Sequence, residues 1–68
     1  MAKYSISMAA ARLNAGLTQG ELAEKLNLSK QTIINWEAGN SFPDPAHFIA
    51  FCKICKVPAD LILFEPHK

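Results

Sequence analysis

The chain has 68 residues, half of them apolar, with a formal net charge of +1 and two cysteines. That permits one small domain with a packed core, and it excludes a disordered chain and a disulfide framework. It also excludes a strongly basic nucleic-acid binder, so an argument for DNA must rest on where the polar groups sit.

No apolar run is long enough to cross a bilayer, and no long apolar core follows the first lysine as in a secretory signal. The expectation is a cytoplasmic protein with no membrane contact. β-Branched alternation is sparse, and the apolar spacing is helical nearly throughout.

In chain order, a first helix begins near Ser5 or Ser7, both good caps, and runs through MAAARLNA to a left-handed stop at Gly16. Met8, Leu13 and Ile6 are its inward candidates. Thr18 caps a second helix, with Glu21 three residues on to complete a capping box. Leu22, Ala23 and Leu26 form its inner face. Gly20 costs helix stability, roughly 1 kcal/mol against alanine in an interior position.

Asn27 suits a left-handed turn, Leu28 points inward, and Ser29 caps a third helix, KQTIINWEA, that Gly39 ends. Ile33 and Trp36 share its inner face, whereas Lys30, Gln31 and Asn35 lie on another face with Thr32 alongside. In the loop NSFPDP, Pro43 and Pro45 forbid regular pairing. Asp44 and Pro45 then start a fourth helix whose apolar stripe is Phe48, Phe51, Cys52 and Cys55. Val57-Pro58 ends it, and a last short helix, ADLILF, stops before Pro66. The predicted fold is all-α, five helices and no sheet.

Two helices joined by a three-residue turn match a helix-turn-helix. The unit needs a small residue at the crossing (Ala23), a residue tolerant of positive φ in the turn (Asn27), and apolar residues to fix the angle. Leu22, Leu26, Leu28, Ile33 and Trp36 meet the last need. The second helix is then free to aim its N-terminal residues at base edges in a major groove.

The string GLTQGELAEKLNLSKQTIINWEAG resembles the DNA-binding domain of the phage repressor and Cro family, also called XRE-type. The matching pieces are Leu17-Thr18-Gln19, Glu21-Leu22-Ala23, Ser29, Thr32-Ile33, Trp36-Glu37, Gly39, Pro43 and Val57 to Leu61. The resemblance covers about residues 5–64 of a single 1–68 domain. It implies a compact five-helix bundle of the lambda-repressor-like type, with a recognition helix at about 30–38.

The resemblance also implies roles. Thr18 and Gln19 contact phosphate; Lys30, Gln31 and Asn35 read bases; Thr32 meets backbone or a thymine methyl. Ser29 and Asn40 flank the recognition helix and complete the DNA-binding set. Arg12 and Glu37 match a pair that bridges the first helix to the end of the third. Chemistry agrees for the bases, because Lys can donate to guanine O6 and N7, and Gln and Asn can pair with adenine N6 and N7.

The chain departs from the family pattern in three places. Asn27 stands where glycine is usual. Ile34 stands where a small or polar residue is common, and it meets either a thymine methyl or the following loop. The loop after Gly39 lacks the lysine or arginine that relatives often carry.

Cys52-Lys53-Ile54-Cys55 is a C-x-x-C string, but a tetrahedral metal site would also need His47 and His67, and both cysteines fall on the inward stripe of the fourth helix. The reading is core packing without a cofactor, with His47 and His67 on the surface and without partners. Ile49, Ile54, Ile62, Leu63 and Phe64 exceed what one small core needs. Ile54, Ile62, Leu63 and Phe64 are the candidate interface of a homodimer, which would set two recognition helices about one DNA turn apart.

The sequence carries no nucleophile with a plausible base, no paired carboxylates in a cleft and no Gly-rich phosphate loop, so it does not read as an enzyme. The expected function is a repressor-like regulator binding double-stranded DNA. The alternative is a protein-interaction module on the same fold, or the antitoxin of a toxin–antitoxin pair, with a toxin or another regulator as partner.

Overall fold

Ser7 starts the first helix: its hydroxyl accepts from the Ala10 N–H at 3.1 Å while its own backbone stays extended. The computed structural model describes residues 6–62. Within them α1 is Met8–Asn14, α2 Gln19–Leu26, α3 Lys30–Ala38 and α4 Pro45–Cys55, followed by a single 3-10 turn at Ala59–Leu61.

Local chemistry sets each start. Thr18 and Glu21 form the complete capping box of α2: the Thr18 hydroxyl accepts from the Glu21 N–H at 3.0 Å and the Glu21 carboxylate accepts from the Thr18 N–H at 2.8 Å. Ser29 accepts from the Thr32 N–H at 3.3 Å to start α3. Asp44 occupies the same position before α4, with Pro45 behind it, but makes no side-chain capping bond. Its carboxylate pairs with the His47 ring instead.

All four helices stop in the same way. One residue turns left-handed (Gly16 at φ 78°, Asn27 at 61°, Gly39 at 81°, Lys56 at 55°). The next N–H then reaches back five residues: Leu17 to the Arg12 carbonyl, Leu28 to Ala23, Asn40 to Asn35 and Val57 to Cys52, at 2.8–3.2 Å. This satisfies carbonyls that a helix end leaves without intrahelical partners. Leu17, Leu28 and Val57 fold back onto the core as they do so.

The core is Met8, Ala11, Leu22, Ala23, Leu26, Ile33, Trp36, Phe51, Cys52 and Cys55. Phe48, expected as part of the α4 stripe, is half-buried at its edge. Burial pushes the thiols of Cys52 and Cys55 up from their ordinary values, so both remain protonated apolar fillers at neutral pH. No described helix is long and apolar enough to span a membrane.

Two expectations are corrected. Leu13 is 64% exposed, and Arg12 is buried in its place. The inward positions of α1 are Met8, Ala11 and Arg12, spaced i, i+3, i+4, and Leu13 lies one residue further round the helix. The fifth helix shrinks to the Ala59–Leu61 turn, because Ile62 leaves in extended conformation and makes an isolated parallel bridge with Ile6. The Ile6 N–H donates to the Leu61 carbonyl at 2.8 Å. Leu63 and Phe64, counted in that helix, lie outside the described residues. The described part of the protein is therefore four helices and a 3-10 turn, without strands.

Candidate nucleic-acid interface

The turn between α2 and α3 is what fixes their angle. Asn27 in the left-handed region lets the chain reverse direction in three residues, and the Leu28 N–H ties the turn to the Ala23 carbonyl at 2.8 Å. Ala23 is buried at the crossing, where a larger side chain would push the helices apart. Leu22 and Ile33 are fully buried beneath it.

A second clamp runs through charge. Glu37, in the last turn of α3, accepts from Arg12 Nε at 2.7 Å, from Arg12 Nη2 at 3.2 Å and from Gln19 Nε2 at 3.0 Å. Arg12 Nη1 donates to the Leu17 carbonyl at 2.8 Å. One carboxylate thus joins α1, the start of α2 and the end of α3, while the guanidinium closes the α1–α2 turn. The fork geometry of arginine makes the bidentate contact possible, and a lysine could not reproduce it. The pairing of Arg12 with Glu37 is the one the sequence indicates; the inclusion of Gln19 and Leu17 is new.

Outward from this frame lie the residues singled out for contact. Lys30 and Gln31 are exposed, and Thr32, Ile34 and Asn35 are half-buried along the same helix. Gln31 Nε2 donates to Asn35 Oδ1 at 3.1 Å, and the hydroxyls of Ser29 and Thr32 are 2.9 Å apart. Thr18, Gln19 and Lys30 line one shallow depression of about 530 Å³ with Arg12, Leu13, Leu17 and Gly20. The structure therefore gathers Thr18, Gln19, Ser29 and Lys30 at the N-terminal ends of α2 and α3, with Gln31, Thr32 and Asn35 following along α3. Asn40 stands apart at the far end of α3, exposed, with its backbone N–H on the Asn35 carbonyl at 2.9 Å.

Gln19 has a fixed position because one amide hydrogen is held by Glu37, and its second amide hydrogen remains as a donor. Ile54 and Ile62 are half-buried against the core. Among the described residues the exposed large apolar side chains are instead Leu13, Phe42 and Ile49, of which only Ile49 stands out in the sequence.

His47 has partners that the sequence reading did not assign. It bonds Asp44, holding that carboxyl below the usual aspartate range, and its ring centroid is 6.3 Å from that of Trp36. The Asp44-x-x-His47 spacing, one turn on a helix start, is the signal that could have revealed the first of these contacts. Among the described residues no cluster of three or more His, Cys, Asp or Glu side chains could hold a metal ion.

A helix-turn-helix family model matches residues 8–62, which takes in all four helices and the 3-10 turn. No curated protein and no solved structure matches significantly. The matched span contains the α2–turn–α3 unit, its buried clamp and its exposed polar face, and the chain belongs to the XRE-type helix-turn-helix family of DNA-binding regulators.

Proposed function

We propose that this protein is a repressor-like transcriptional regulator that reads duplex DNA in the major groove with α3. The observation that carries this reading is the division of α3 into two faces. Its inner face is anchored by Ile33, Trp36 and Glu37, while Lys30, Gln31 and Asn35 are presented on the other. Thr18 and Gln19, beside the backbone N–H groups at the start of α2, suit a phosphate. Ser29 and Thr32 extend the same contact line, and Asn40 offers a separate contact at the far end of α3. Ile34 shares the exposed flank and would meet a thymine methyl.

In this reading the protein acts in the cytoplasm as a homodimer on a palindromic operator, with Ile54, Ile62, Leu63 and Phe64 at the two-fold interface. Pairing two half-sites also offsets the small net charge of +1.

The test is selection of bound duplexes from a random pool at low salt, with the wild type beside a K30A/Q31A/N35A variant. A palindromic consensus obtained only with the wild type supports the proposal. Affinity for the selected duplex should fall steeply with salt as phosphate contacts release counterions.

A second reading is a protein-interaction module or antitoxin on the same fold. It draws on the near-neutral charge and on the exposed Phe42 and Ile49, at 51% and 55%. It predicts little duplex binding at any salt and retention of a protein partner, such as a toxin or another regulator.

A further inference from the structure

We propose that Gln31 and Asn35 act as one hydrogen-bonded reading unit, in which Gln31 takes adenine and Asn35 takes guanine or thymine within two base-pair steps. This rests on the DNA-reading role proposed above for α3 and gives it a chemical code.

The bond from Gln31 Nε2 to Asn35 Oδ1, at 3.1 Å, changes what each amide can offer. Each free amide carries an acceptor oxygen and two donor hydrogens. Gln31 gives one of its two amide hydrogens to Asn35. It keeps Oε1 and its second hydrogen, an acceptor and a donor in one plane. That pair complements adenine, whose N6 donates and whose N7 accepts in the major groove.

Asn35 is altered in the opposite sense. Its oxygen already accepts from Gln31 and keeps one lone pair, so its outward offer is weighted towards the two hydrogens of Nδ2. A group weighted towards donation matches acceptor edges best, which in the major groove are guanine O6 and N7, or thymine O4. This bias distinguishes the coupled pair from independent amides, each of which would pair with its own adenine. The two residues are one helical turn apart, so their side chains reach neighbouring base steps.

The bond also fixes orientation before DNA arrives. A glutamine at an exposed position loses rotamer freedom on binding, and holding it in advance lowers that cost. Asn35 is half-buried and supplies the less mobile end.

The experiment is duplex selection from a random pool with the full chain as wild type, Q31A, N35A, Q31A/N35A and N35D, reading the base preference at each position. Midpoints of thermal unfolding check that all variants fold. In the wild type, one position should prefer adenine and a position within two steps of it guanine or thymine. N35A should lose its own preference and also weaken the adenine preference at the Gln31 position by about fivefold, the factor that a contact of ~1 kcal/mol carries.

N35D is the decisive variant. Its carboxylate still accepts from Gln31, so the adenine preference should persist. Its own position should switch to a base that donates, cytosine or adenine.

Independent effects of Q31A and N35A, each confined to its own base pair, would overturn the coupling while leaving α3 as a DNA reader. An adenine preference at the Asn35 position would do the same. Absence of any consensus with the wild type would overturn both this inference and the function on which it rests.

Discussion

α3 and α4 each follow a residue with a capping side chain and each end in a left-handed turn, yet they are secured differently. α3 is held at both ends: Ser29 bonds Thr32 at the start, Gly39 takes the left-handed position at the finish, and Glu37 is pinned across the fold to Arg12 and Gln19. α4 has weaker ends. Asp44 turns toward His47, and Lys56 adopts a conformation that costs a residue with a Cβ roughly 1–2 kcal/mol. What holds α4 is burial of Phe51, Cys52 and Cys55 on one face. α3 thus adds end fixtures to the burial of Ile33 and Trp36, whereas α4 relies mainly on the burial of its middle.

Substitutions can break this contrast. Phe51→Ala should have the largest effect, a loss of about 3–5 kcal/mol, because a fully buried ring leaves a cavity behind. Urea denaturation measures it. Glu37→Ala comes next. The Arg12 and Glu37 side chains are only 10% and 9% exposed, so removing the carboxylate strands a buried guanidinium at a cost of about 3 kcal/mol. If replacing Glu37 and Arg12 together by apolar residues restored nothing, the pair would not be the origin of that cost.

Smaller changes sharpen the comparison of the two ends. Ser29→Ala should lower stability by about 1 kcal/mol through loss of the α3 cap. Lys56→Gly should raise it by roughly 0.5–1 kcal/mol, since glycine enters the left-handed region freely and gives back part of the gain as unfolded-state entropy. Thermal midpoints of the two variants should therefore move in opposite directions.

Asp44→Ala should change the neutral-pH midpoint least, because its side chain makes no capping bond and is exposed. The hydrogen bond to His47, then the charge of His47, hold the Asp44 carboxyl below its ordinary value. Its contribution is therefore present at neutral pH and is lost as pH falls through the lowered folded-state value. The variant should have a flatter acid side in a plot of midpoint against pH. A neutral-pH loss equal to that of Ser29→Ala would show that Asp44 caps α4 after all.

What the sequence made legible follows the range of each interaction. Thr18 with Glu21, Ser29 before α3, and Asn27 in the turn were all readable because each device acts within four residues. The exposure of Lys30 and Gln31 was readable from the phase set by Ile33 and Trp36. The phase of α1 is not legible in the sequence, because hydrophobicity favours Leu13 for the inner face. The helix instead buries Arg12, whose charge is met by Glu37 from a distant helix. Nothing in a lysine marks Lys56 as left-handed, and nothing in the α2 start announces that Gln19 will reach the end of α3. The C-terminal ADLILF pattern looked helical until its extended exit found Ile6, a partner from the other end of the chain.

That pairing makes the described chain nearly circular. Ile6 and Ile62 run side by side in the same direction, so a connector joining the two ends must reverse course but needs little length. A circular permutant with new ends opened in the exposed 40–42 segment would keep α2, the turn and α3 contiguous. It would leave the Arg12–Glu37–Gln19 clamp intact, because that clamp depends on spatial neighbours and not on the order in which the helices are joined.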